Sequence, residues 1–157
     1  LLHDDETGQR LEQAYVKGKS AIWAQLWDAD RRMFVSGPDR QISWASQIWM
    51  CLAGVISGPE AAQLLRRATD TTEIVSMTTP YMFHHYIQAL IDCGEADKAA
   101  QEARRYWGGM IEAGSDTFWE LYDPKDLHTS PYGSNMINSY CHAWSCTPAY
   151  FLRKQLI

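Results

Sequence analysis

Pro80-Tyr81-Met82-Phe83-His84-His85-Tyr86-Ile87-Gln88-Ala89-Leu90-Ile91-Asp92-Cys93-Gly94-Glu95-Ala96 is the stretch that decides the fold. Proline is tolerated at the first position of a helix, where the N–H it lacks would have no partner. A helix is therefore expected from Pro80 to Cys93, and Gly94 stops it. Another helix follows from Glu95 to about Trp107, with Ala96, Ala99, Ala100 and Ala103 forming a small-residue face for close approach. Two helices joined by so short a turn imply an antiparallel hairpin.

The same pattern extends upstream. From about Glu6 to Trp27, Leu11, Tyr15, Ile22 and Leu26 fall on roughly one face of a helix. Arg31 to Arg40 carries Gly37-Pro38 and reads as a loop. Ser43 suits an N-cap, with Trp44, Ile48, Cys51, Leu52 and Val55 as the buried stripe of the helix it opens. Ser57-Gly58-Pro59 ends that helix and starts another, which turns Ala61, Leu64 and Leu65 inward. The Thr-rich stretch Asp70 to Thr79 is a break.

Downstream of Trp107, Gly108-Gly109 is expected to loosen the chain. Asp123 to Asn138 holds two prolines, a glycine and many polar residues, and reads as a long loop of the kind that often carries function. A last helical region is expected near Asn138, with Pro148 either kinking it or opening a new helix capped by Thr147. No strand pattern persists beyond a few residues. The class is all-α, built from three antiparallel helical hairpins.

Composition narrows the function. The 157 residues fall in the size range of one domain, with 46% hydrophobic and 21% charged residues, which suits a folded globular chain. A net charge of −5 and the absence of a Lys/Arg run argue against nucleic acid or an anionic membrane as partner. No apolar stretch approaches the roughly 20 residues a membrane-spanning helix needs. Leu1-Leu2-His3-Asp4-Asp5 shows neither an initiator Met nor a secretory signal and reads as the interior of something longer. Cys51, Cys93, Cys141 and Cys146 match no common zinc spacing and are expected to be buried free thiols, so no metal is called for. Phosphate-binding glycine loops, serine nucleophile elbows and His-Glu-x-x-His sequences are missing, and no cofactor is expected.

Of the seven Trp, eight Tyr and four Phe, several Trp are more than a core of this size needs, although any single ring reads equally well as part of a large helical core. In Thr117-Phe118-Trp119-Glu120 aromatic rings surround a carboxylate, and Asn138-Ser139-Tyr140-Cys141-His142-Ala143-Trp144 follows about twenty residues later on an expected helix. Tryptophan faces pack on the apolar C–H faces of pyranoses, and a carboxylate can take a proton from water. Glu120, beside Trp119 and near Tyr122, is either the candidate base or a terminal or loop carboxylate exposed to solvent. Asp116 and Asp123 flank it, and either could instead be the working acid or a turn former. His142 reads as a structural hydrogen-bonding residue or a catalyst, with Trp144 next to it. Trp44 reads as core, or as a sugar contact together with Gln47. Of His84-His85, with Tyr81 on the same helix, one faces in and the other need not.

Ala89-Leu90, Gly94, Asp97, Ala99, Trp107, Met110, Gly114, the Thr-x-Trp-Glu motif ending at Glu120, Ser139 and His142 carry a family likeness. This run resembles the C-terminal half of the catalytic domain of glycoside hydrolase family 78, the α-L-rhamnosidases, and weaker similarity runs back through Gln47 and Gly54 to the first helix. The resemblance implies an (α/α)6 barrel of six helical hairpins, of which residues 1–157 would form about half. It implies inverting hydrolysis of terminal α-L-rhamnose, with Glu120 as general base, His142 touching sugar, and Trp119, Tyr122, Trp144 and Trp44 as candidate pocket residues. A second carboxylic acid, about 6.5–9.5 Å away in inverting enzymes, would protonate the leaving oxygen. The family's acid lies in an upstream segment with no match here, so the chain reads as a fragment that is inactive alone. Its partners would be a carbohydrate substrate and either the rest of the catalytic domain or a second copy. Leu121-Tyr122-Asp123 replaces the family's usual basic residue and Trp, implying a divergent branch. The alternatives are a non-catalytic carbohydrate-binding helical module and a six-hairpin hydrolase acting on another sugar.

Overall fold

The computed structural model describes residues 4–153; the opening residues 1–3 lie outside it. The fold is all-α, with helices α1 (Asp5–Leu26), α2 (Trp44–Leu52), α3 (Gly58–Asp70), α4 (Pro80–Asp92), α5 (Ala96–Glu112) and α6 (Thr147–Phe151). Among the described residues no helix is long and apolar enough to cross a membrane.

The decisive hairpin forms as its sequence requires. Thr79 caps α4 by accepting from Met82 N, and Pro80 takes the first helical position. At the other end Gly94 adopts φ +87°, its N–H bonds Ile91 O, and Glu95 N bonds Leu90 O. These paired bonds satisfy the last carbonyls of α4 and send α5 back along it. The helices bury Phe83, Ile87, Leu90, Ala99, Tyr106 and Met110 in one cluster, which Ile48 of α2, Leu65 of α3, Tyr122 and Phe151 of α6 join. As expected, Ser43 caps α2, accepting from Ser46 N at 3.0 Å.

Helix α5 is longer than its glycines suggest. It runs through Gly108-Gly109 and closes only at Gly114, where φ is +94° and Ser115 N bonds Met110 O. Gly109 is helical and serves close approach: a Cβ there would sit 2.5 Å from the Tyr122 hydroxyl and 3.0 Å from its ring. The missing side chain lets the Tyr122 ring lie against the helix.

Other expectations give way to tertiary packing. The apolar face read on α1 is largely exposed: Leu11 is 60% exposed, and of its four residues only Ile22 and Leu26 pack against a core cluster. The helix docks instead through donors one turn apart. Tyr15 Oη, Lys19 Nζ and Trp23 Nε1 donate to the carbonyls of Ala53, Gly54 and Val55, just past the end of α2. Within the expected loop 31–40, Met33–Phe34 (β2) pairs antiparallel with Trp27–Asp28 (β1) and is fully buried. Two residues per strand are too few for an alternating pattern to appear in sequence. The last region is not one helix: 3-10 turns at Asn135–Ile137 and Ala143–Ser145 precede α6. Cys146 takes its cap position, and the Thr147 hydroxyl bonds His84 Nδ1 at 3.1 Å. All four thiols are free, but Cys141 and Cys146 are exposed rather than buried, because their segment lies on the surface.

Candidate active site

The hairpin α4–α5 and the closure at Gly114 deliver the chain to 117–120, which does not enter a helix. It runs beside 139–142 instead. Glu120 N donates to Ser139 O at 2.9 Å, His142 N donates to Phe118 O at 2.7 Å, and Thr117 Oγ1 bonds Tyr140 O. Residues 118 and 120 thus face 142 and 139 in antiparallel sense. The helix expected to carry His142 is replaced by this extended pairing, held by two backbone bonds and the Thr117 hydroxyl. His142 then caps the 3-10 turn, with Nδ1 accepting from Trp144 N.

The pairing brings three of the expected residues together. Glu120 is 8% exposed, and both carboxylate oxygens are engaged: Tyr132 Oη donates to Oε1 at 2.6 Å and Ser139 N donates to Oε2 at 2.8 Å. Trp144 Nε1 donates to the carbonyl of Glu120 at 3.0 Å, and its ring lies over His142 at 4.3 Å. The hydrogen bond from Tyr132 holds the Glu120 carboxyl below its ordinary range, with the Ser139 N–H and then the attraction of His142 acting in the same direction. The partner effect raises the Tyr132 phenol, which stays a donor. Glu120 is therefore an anion at neutral pH. Each oxygen keeps acceptor capacity beyond these bonds, so the group can hold a water and accept its proton.

The remaining candidates are placed differently. Trp119 packs on the main core cluster, its ring 6.3 Å from Tyr122 and 5.6 Å from Tyr140. Tyr122 is buried against Gly109 and Tyr106. Trp44 meets Tyr86 edge-on at 4.9 Å and, with Tyr122, lines a cavity of about 360 Å³ whose lining does not include Glu120. Gln47 is no sugar contact: it is fully buried, bonding the backbone of Phe34 and Ser43. In that cavity Glu102 is pushed up by burial, but Lys98 and Arg105 outweigh this and hold it low as a structural ion pair. Asp123 lines the same cavity; Asp116 lines another, of about 680 Å³, beside His142 and Phe118. Among the described residues no three His, Cys, Asp or Glu side chains gather to hold a metal.

Sequence reasoning missed Tyr132 and Trp49, and did not join Tyr81 and His85 to Trp144 in one row of rings. Tyr81 lies 6.0 Å from Trp144, His85 4.7 Å from Tyr81, and Trp49 4.5 Å from His85. Neither histidine of the pair points fully inward; burial lowers both, His84 also through His85. The available signal for Tyr132 was a lone ring in Ser130-Pro131-Tyr132-Gly133-Ser134, a turn sequence that folds back on its neighbours.

No family model matches the chain. No curated protein matches it either. Solved structures do. A rhamnosidase from Klebsiella oxytoca with rhamnose bound superposes with a TM-score of 0.93 at 46% identity, covering 98% of this chain and 30% of that one. A GH78 family rhamnosidase of Bacillus sp. GL1 superposes with a TM-score of 0.69 at 27% identity, covering 87% of this chain and 15% of that one. The chain thus spans about 30% of the length of the first.

Proposed function

We infer that this chain, which shares fold and sequence with a stretch of the GH78 rhamnosidases, is part of the (α/α)6 catalytic domain of an inverting glycosidase of that family. Glu120 is its general base. The observation that carries the reading is the Glu120 carboxylate, anionic, bonded on both oxygens and flanked by Trp144 and His142.

On this reading the chemistry is that of an inverting hydrolysis. A water bonded to Glu120 loses its proton to the carboxylate while its oxygen attacks the anomeric carbon on the face opposite the leaving group. A carboxylic acid from outside these residues protonates the departing oxygen, and the product anomer is inverted. The exposed rings of Trp144 and Tyr81 offer faces for the sugar, and His142 is a polar contact. Leu11, Val16 and Trp23 of α1 stand exposed, which supports a face covered by the other half of the barrel.

The test is proton NMR of aryl α-L-rhamnoside hydrolysis by the full-length gene product, with Glu120→Gln alongside. The expected result is β-L-rhamnose as the first product and a loss of about 10²–10⁴-fold in the variant, the usual worth of a general base. The α-anomer appearing first, or full activity in Glu120→Gln, would overturn the assignment. Sugar binding that survives Glu120→Gln without turnover in either protein would point to a carbohydrate-binding module.

A further inference from the structure

Both oxygens of Glu120 are held by one loop. Tyr132 reaches Oε1 from the loop tip, and Ser139 N reaches Oε2 from the point where the loop rejoins the paired segments. Asn138 ties tip to base: its Nδ2 donates to Thr129 O at 2.9 Å, and its Oδ1 accepts from Ser130 Oγ at 2.8 Å. Ser130 Oγ in turn accepts from the backbone N–H of Tyr132 at 3.1 Å. A second internal bond joins Asn135 Nδ2 and His128 Nδ1 at 3.1 Å. The position of the Tyr132 hydroxyl is therefore set by a chain of bonds ending one residue from the other donor to the same carboxylate.

We propose that loop 123–139 is a clamp on the Glu120 carboxylate, in which Tyr132 is the positioning residue that fixes the orientation of the base and keeps it ready to accept a proton under acidic conditions. This rests on the reading of Glu120 as the base. A carboxylate on a free side chain would turn about its terminal bond. Two donors converging from different directions remove that freedom before substrate arrives, which is how pre-organised sites avoid reordering during the reaction. They also stabilise the anion over the neutral acid, so the base stays deprotonated further into the acid range. The titratable groups facing Glu120 are Tyr132 from the loop and His142 from the paired segment, and both act in this direction. Tyr132 is half exposed, with its ring outside the core, so removing its hydroxyl leaves the fold in place.

The sign of the pH effect is definite. The two donors lower the carboxyl in the folded protein, so deleting the Tyr132 hydroxyl raises it toward the ordinary value. Activity that needs the anion is lost as pH falls through that value. In the full-length product, the acid limb of kcat/KM, which reports the free enzyme, should move to higher pH in Tyr132→Phe. The alkaline limb, belonging to the general acid, should stay where it is. Asn138→Ala, which releases the loop without touching Glu120, should move the acid limb the same way. A tyrosine that merely supports the fold would lower the whole profile and move neither limb.

A second readout separates this proposal from the one it rests on. With glutamate carboxyl carbons labelled, the NMR resonance lost in Glu120→Gln identifies Glu120, and its titration midpoint should rise in Tyr132→Phe whether or not the group is catalytic. A midpoint and acid limb that stay at their wild-type positions would overturn the clamp even if Glu120→Gln is inactive. Full activity in Glu120→Gln would overturn the base, and with it the role of the clamp in turnover.

Discussion

Gln47→Met tests how the short β1–β2 ladder is held to the helices. Val35 N donates to Leu26 O at 2.8 Å, so residues 26 and 35 form a bonded pair. Bonded and non-bonded pairs alternate along antiparallel strands, so the N–H and C=O of Phe34 point away from β1. Gln47 satisfies them: its Oε1 accepts from Phe34 N at 2.9 Å and its Nε2 donates to Phe34 O at 2.8 Å. Methionine fills a similar volume with no such donor or acceptor, leaving both groups orphaned around a residue that is 0% exposed. Each orphan costs about 1–3 kcal/mol, and burying a thioether in place of an amide returns about 1 kcal/mol. The net loss should be about 1–5 kcal/mol, a large part of the roughly 5–15 kcal/mol that holds a domain folded. Ser43 O loses its bond to Gln47 Nε2 but keeps the helical bond from Gln47 N. The assay is urea unfolding followed by tryptophan fluorescence, with an unchanged slope and a lower midpoint. Gln63→Met, on the exposed side of α3, is the control and should stay within about 0.5 kcal/mol. A Gln47→Met loss under about 1 kcal/mol would refute the reasoning, since the Phe34 groups would then have found other partners.

Gly109→Ala should destabilise the chain by about 1–2 kcal/mol, because forcing an atom into packed space outweighs the gain of alanine over glycine in a helix. In a Tyr122→Phe background, where the atom 2.5 Å away is absent, the loss should be smaller; equal losses in a double-mutant cycle would refute close approach as the reason for this glycine. Of the four thiols, Cys141 and Cys146 should react rapidly with a disulfide reagent in the folded protein. Cys51, pushed up to about 12 by burial, should react only on unfolding, and rapid reaction of all four in native buffer would contradict the packing of α2.

Helix starts and stops were legible because their chemistry is local. Pro80 and Gly94 act on backbone groups within a few residues of themselves, and Ser43 caps α2 in the same way. The glycine pair at 108–109 misled because glycine has two uses that look alike in sequence. At Gly114 it supplies a positive φ that ends α5, whereas at Gly109 it removes a side chain from the path of Tyr122. Likewise Tyr15, Lys19 and Trp23 lie one turn apart on α1, but only the carbonyls at 53–55 make that spacing a row of donors rather than an apolar face.

The candidate site divides along the same line. Glu120 between aromatic rings, with a histidine and a tryptophan downstream, was readable because residue type alone restricts what a carboxylate among rings can do. That 117–120 pairs with 139–142, that Tyr132 returns across twelve residues of loop to meet the carboxylate, and that Trp44 and Tyr122 line a different cavity were not readable. The sequence by itself determined the helical class, the cap of α2, the limits of α4 and the chemistry on offer, all set by interactions spanning a turn or less. Only the tertiary structure decided which side chains share a site and in what state of ionisation, because those depend on burial and on donors that come from distant parts of the chain.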